Sequence, residues 1–215
     1  MKFSKKVLAG AVAASLTLGA MAPVANAEVE VSGSMGIAST YLWRGIDLGS
    51  GTPAVSGDLS ASAAGFYGGI WGSSGDTATG SEYDLYLGYG GEVGAFSYDV
   101  SVWNYVYPTG SSEVDFGDLS ELVIGLGFGP VSLTYFDNIA GGHGYSYLNL
   151  GVEFGAFSVA VGAHDNPDEG ADDMAHADFS YAYNDNLSFT LSQQIADEDE
   201  SDDLKFVVSY SVPFE

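Results

Sequence analysis

From Ala54 to the C-terminus, the chain repeatedly switches between apolar and polar residues at every position. Leu148, Leu150, Val152 and Phe154 interleave with Asn149, Gly151 and Glu153. Phe157, Val159, Val161 and Ala163 alternate with small residues, and Leu187, Phe189 and Leu191 alternate with Ser188, Thr190 and Ser192. A period of two puts the apolar side chains on one face of a strand and the polar ones on the other. Strands of this kind behind a secretion-type N-terminus, with no segment patterned as a transmembrane helix, predict an all-β fold. The expected architecture is a single antiparallel transmembrane β-barrel of the outer-membrane type.

The N-terminus carries Lys2, Lys5 and Lys6, an apolar run from Val7, and Ala25-Asn26-Ala27 as a cleavage site. Residues 1–27 therefore read as a signal peptide and 28–215 as one barrel. Loss of the signal removes three of the five basic residues, leaving Arg44 and Lys205 against all 29 acidic ones. Such a chain has nothing with which to neutralise phosphates, which excludes nucleic acid as a partner. Cations, or a pore that attracts them, suit the charge better; mutual repulsion of solvated loops is the plainer reading. The absence of cysteine rules out disulfides, thiolate metal sites and a cysteine nucleophile. A closed hydrogen-bonded barrel in lipid supplies stability without them. The 30 glycines and 13 % aromatic content fit strands rather than helices.

Twelve strands are expected, near 29–43, 53–63, 66–72, 82–91, 95–107, 118–128, 131–137, 145–154, 156–164, 175–183, 186–195 and 203–214, with ten or fourteen as alternatives. Every second connection is tight: Ala64-Gly65, the Glu92–Gly94 stretch, Gly129-Pro130, Gly155 and Asn184-Asp185. The others are longer and mostly acidic, as periplasmic turns and external loops are in outer-membrane barrels. Aromatics are expected in two interfacial belts. Tyr41, Trp43, Trp71, Tyr83, Tyr105, Tyr107, Tyr135, Phe136, Tyr145 and Tyr147 would form the outer one, and Phe66, Tyr89, Phe96, Tyr98, Phe128, Phe154, Phe157, Tyr181, Tyr183 and Phe214 the inner one. The last strand alternates from Leu204 to Phe214, similar to the signal taken up by barrel-assembly machinery, although Glu215 follows the terminal aromatic.

The polar faces of these strands carry Asp58, Asp84, Asp99, Glu121, Glu153, Asp178 and Lys205 among many Ser, Gly, Thr and Ala residues, and Arg44 shares that parity. These are the candidate lumen-lining residues. Small side chains do not fill a barrel of this size, so a wet lumen is expected, and its carboxylates would favour cations; an interior network that plugs the barrel is the competing reading. Arg44 would end the first strand and Lys205 begin the last, so closure would bring them together at the external mouth. Either they form an electrostatic constriction opposing carboxylates, or a local salt bridge to a neighbouring acid locks the barrel seam.

The Asp165–Gly170 run has the outline of a calcium loop, but Pro167 and His176 stand where ligands are needed. No metal site or cofactor is expected. No Gly-x-Ser-x-Gly or His-Glu-x-x-His motif occurs, and His143, His164 and His176 lie far apart in sequence. His164 beside Asp165 at a strand end is the one residue that invites comparison with barrel hydrolases. No catalytic residue is assigned.

The segment Ser39-Thr40-Tyr41-Leu42-Trp43-Arg44-Gly45-Ile46 resembles the Tyr-x-aromatic-Arg-Gly-Ile/Val pattern of the TorF-like porins of Gram-negative bacteria. Gly65–Trp71, Phe96–Val100 and Gly127–Leu133 are similar to that family as well. The resemblance implies an outer-membrane barrel of porin type and brings no catalytic residues with it. The expected function is passive diffusion of small hydrophilic solutes through the outer membrane with a preference for cations. The alternative is a closed structural or surface-interaction barrel whose acidic loops bind cations. The expected partners are outer-membrane lipid, barrel-assembly machinery, and small solutes or cations.

Overall fold

A computed structural model describes residues 28–109, 113–167, 174–196 and 203–214. The expected signal peptide and most of the acidic segments 165–173 and 197–203 lie outside the described residues. The described chain contains β1 (Glu30–Ala38), β2 (Leu42–Trp43), β3 (Ile46–Asp47), β4 (Ala54–Ala63), β5 (Phe66–Asp76), β6 (Gly80–Val93) and β7 (Phe96–Tyr107). There follow β8 (Val114–Phe128), β9 (Val131–Ala140), β10 (Ser146–Phe154), β11 (Phe157–Asp165), β12 (Ala175–Ala182), β13 (Leu187–Ala196) and β14 (Lys205–Phe214). All but β2 and β3 form one closed barrel of twelve antiparallel strands, with β1 pairing β14 to close it. The count and the strand positions agree with the alternation of the sequence.

The tight turns form because residues able to take positive φ stand where two-residue loops need them. Ala64 and Gly65 have φ of 56° and 90°, which matches the right-handed twist of the strands they join. The parity is consistent around the barrel. Met35, Leu59, Leu87, Val102, Leu126 and Leu150 stand on the outside with their side chains exposed. A continuous outward wall of large apolar side chains is stable only against an apolar solvent, and a closed sheet leaves no unpaired edge within it.

At the end with the short turns, Phe66, Phe96, Phe128, Phe154, Tyr183 and Phe214 point outward and exposed, as an interfacial belt requires. The belt expected at the other end is corrected. Tyr83 and Tyr135 do face outward there, but Tyr41, Phe136 and Tyr147 are buried inside the barrel. Trp71, Tyr105 and Tyr145 pack with that interior cluster. Alternation sets the face: Phe136 and Tyr147 stand inward beside outward Tyr135 and Leu148, and an interior partner fills the space between the inward rings.

That partner is the segment between β1 and β4. The first strand does not run to Trp43: it leaves the sheet after Ala38, and Leu42-Trp43 pairs instead with Ile46-Asp47. Arg44 and Gly45 form the turn of this small hairpin, with φ of 48° and 82°. Thr40 and Asp47 close its base by a side-chain hydrogen bond, and the Leu48 amide donates to the Tyr41 carbonyl at 2.8 Å. The hairpin folds into the barrel. Leu42 is buried with Ala38 and Val207 of β14, while the tip reaches β8, which lies nearly opposite β1 in the strand order.

Candidate functional site

The hairpin tip and the wall that receives it form the most densely bonded polar site among the described residues. Arg44 is 7 % exposed, and its two terminal nitrogens donate to Glu121 of β8 at 3.0 and 2.6 Å. This fork-to-fork geometry is the strongest a guanidinium and a carboxylate adopt. The guanidinium carbon also lies 4.6 Å from the ring centre of Trp43, 4.2 Å from Phe136, 5.6 Å from Tyr145 and 4.9 Å from Tyr147. Those rings turn their electron-rich faces to the cation and keep water from it. Burial opposes the Arg44 charge, but the hydrogen bonds and charge of Glu121 outweigh it and hold the group above its ordinary value.

The backbone of the tip is held as firmly. His164 Nε2 donates to the Arg44 carbonyl at 2.8 Å, so its Nδ1 is left to accept from the Tyr145 hydroxyl, also at 2.8 Å. Tyr145 in turn accepts from Arg44 Nη1 at 3.2 Å. On β12, His176 Nδ1 donates to Asp178 at 3.1 Å, and Nε2 meets the Tyr147 hydroxyl at 2.8 Å. His176 packs against the tip so closely that a Cβ on Gly45 would fall 2.4 Å from its ring. Glycine at 45 is therefore required twice, by conformation and by space.

The flank of the hairpin meets β6 and β7. Glu82 accepts from Tyr41 at 2.6 Å and from Tyr107 at 2.6 Å, and Glu121 accepts from Tyr105 at 2.7 Å. Farther toward the short turns, Asp58 accepts from Tyr86 and Asp99 from Tyr67, each at 2.7 Å, and Ser34, Ser56 and Ser60 stand half-buried near Asp58.

The expected lumen residues thus divide. Arg44 and Glu121 meet at the tip, and Asp84 stands beside them on β6. Asp178 supports His176, while Asp58 is half-buried and Asp99 buried on the inner face farther toward the short turns. Glu153 is exposed at the end of β10, beside the turn to β11. The expected placement of Arg44 beside Lys205 at the seam is corrected, because the hairpin carries Arg44 across the lumen, where its salt bridge is to Glu121. Lys205 Nζ is buried on β14 with no hydrogen-bond partner among the described residues. Glu82, His176 and the aromatic cage were not singled out from sequence. The available signal was the spacing Leu42-Trp43-Arg44-Gly45-Ile46-Asp47, in which a two-residue connection with glycine joins two short segments. Among the described residues, no group of three or more His, Cys, Asp or Glu is placed to hold a metal ion.

The sequence matches, over residues 22–203, the family described as "Bacterial protein of unknown function (Gcw_chp)". The chain belongs to that family. No curated protein matches it. Among solved structures, the barrel is similar to outer membrane phospholipase A from Escherichia coli, with a TM-score of 0.41 and 13 % identity over 84 % of this chain and 76 % of that one. It is also similar to a chain described under "Asymmetric conductivity of engineered proteins", with a TM-score of 0.35 and 11 % identity over 87 % of this chain and 100 % of that one. These likenesses concern general shape and carry nothing about activity.

Proposed function

We propose that this member of the Gcw_chp family is an outer-membrane channel of porin type that passes small hydrophilic solutes, prefers cations, and is narrowed from the loop side by the 42–47 hairpin. The carrying observation is the inner wall away from the hairpin. There Ser34, Ser56, Asp58, Ser60 and Ser180 stand only partly buried on inward-facing positions. A barrel of eight strands is just filled by side chains, so these small, partly buried residues of a twelve-stranded barrel favour a watery path along their side, beside the fully buried Ser101, Ser188, Thr190 and Ser192 of other strands. Cation preference follows from the charges on the interior. Asp58, Glu82, Asp84, Asp99, Glu121 and Asp178 face Arg44 and Lys205, and Arg44 is already neutralised by Glu121.

The location is supported by the outward apolar wall, the aromatic belt at the short-turn end, the secretion-type N-terminus and the resemblance to TorF-like porins. On this reading the C-terminal strand, ending in exposed Phe214, is what barrel-assembly machinery engages, and lipid covers the outer face. His164 has both ring nitrogens engaged inside the barrel, which supports a positioning role over hydrolysis.

A second reading has its own observation: the clamp on Arg44 spans the lumen, as in a closed structural barrel. Single-channel recording on refolded protein in a planar bilayer separates the two. Small, cation-selective unitary currents are expected. A membrane that stays silent at saturating protein sinks the channel reading, and a preference for chloride sinks the acidic-lumen argument.

A further inference from the structure

The carboxylates around the hairpin are not equally satisfied. Both oxygens of Glu82 and both of Glu121 accept hydrogen bonds. Asp84 stands with them on the inner face of β6, within electrostatic reach of both, and it is 3 % exposed. Its Oδ1 is buried without a hydrogen-bond partner, and the side chain takes part in no hydrogen bond or ion pair among the described residues. The one nearby cation, Arg44, is committed to Glu121. A buried carboxylate in a setting already rich in negative charge is held at high cost unless a positive group joins it or it takes up a proton.

The surroundings suit such a group. Asp84 is flanked across the sheet by Trp71 on β5 and Tyr105 on β7, whose side chains share its face. Aromatic neighbours beside an unpaired carboxylate favour a compact monovalent cation, which gains from ring faces as well as from the charge. A chelated metal would need more free oxygens than Asp84 alone offers.

We propose that Asp84 is the anchor of a binding site for a small monovalent cation, of alkali or ammonium type, at the side of the hairpin. The inference deepens the channel reading, since it names the place where a permeating cation pauses and relies on the lumen for access. The site compensates in the wild-type barrel for the charge that Arg44 leaves unbalanced.

The test uses the refolded full barrel. Thermal unfolding is followed at constant ionic strength while N-methylglucamine chloride, too large for the site, is exchanged for potassium or ammonium chloride. The expected result is a saturable rise in Tm with the small cations. That rise is lost in Asp84→Asn, which keeps shape and removes charge, and kept in Asp58→Asn. A preference for ammonium over potassium would assign the site to amine solutes, and the reverse to alkali ions; either supports it. An equal response of wild type and Asp84→Asn, or no response beyond ionic strength in the wild type, overturns the site. Should Asp84→Asn fail to refold, the wild-type exchange decides alone. Binding with electrically silent bilayers would keep the site and overturn the channel; conductance without the Tm response would do the opposite.

Discussion

Arg44 combines three commitments that rarely coincide in one residue. Its backbone sits at a φ of 48°, its guanidinium is forked onto Glu121, and its carbonyl accepts from His164. The left-handed backbone costs about 1–2 kcal/mol for a residue with a Cβ. The side-chain contacts offset that cost. Arg44→Ala would leave Glu121 buried and unpaired, and a loss of roughly 3–5 kcal/mol is expected, read as a lowered unfolding temperature of the refolded barrel. Arg44→Lys should recover only part of it, because an ammonium lacks the planar fork. Gly45→Ala places a methyl group 2.4 Å from the His176 ring at a φ of 82°. It should lower the same transition, and His176→Ala in the same chain should relieve the steric share. Additive effects of those two substitutions would show that the tip does not rest on His176.

At the scale of elements, the barrel strands and the 39–53 segment obey different rules. A strand is specified by its own alternation and its turns by two or three local residues, so strand positions from Ala54 onward could be read almost directly. The hairpin could not be read so far. Leu42-Trp43 continues the apolar pattern of β1, and only partners remote in sequence, such as Glu121, His164 and His176, draw it out of the sheet. The outer aromatic belt is divided by alternation instead: Tyr83 and Tyr135 face outward, while Phe136 and Tyr147 share the inward parity of their strands and enclose the cation. Of the candidate site, the acidic parity of Asp58, Asp84, Asp99 and Glu121 was visible, and the coupling of Arg44 to one of them was not. Replacing residues 42–47 by a short glycine-serine linker should leave the far-ultraviolet circular dichroism of the barrel intact. Unitary conductance should rise several-fold, since the wall strands pair without the hairpin. An unchanged conductance would mean that the hairpin does not obstruct the path.

Over the whole molecule, charge and shape act together. On the channel reading, an acidic, watery interior lies inside an apolar sleeve, so a field inside it would be bounded by low-dielectric lipid and focused along the lumen. Cation preference should therefore be strongest in dilute salt and fade toward molar salt, where the Debye length falls to about 3 Å; reversal potentials across a salt series measure it. Asp58→Asn with Asp99→Asn should lower the preference while leaving the hairpin clamp in place. Selectivity that ignores both salt and these carboxylates would place its origin elsewhere.

The clamp also bears on how the barrel is held closed. The tip at Arg44 and Gly45 precedes Glu121, Tyr145, His164 and His176 in the chain, and its segment hangs from β1, which closes the barrel against β14. Because the hairpin hangs from the closing strand and its partners lie on the far wall, the docked tip ties that wall to the β1–β14 seam, and loosening either should loosen the other.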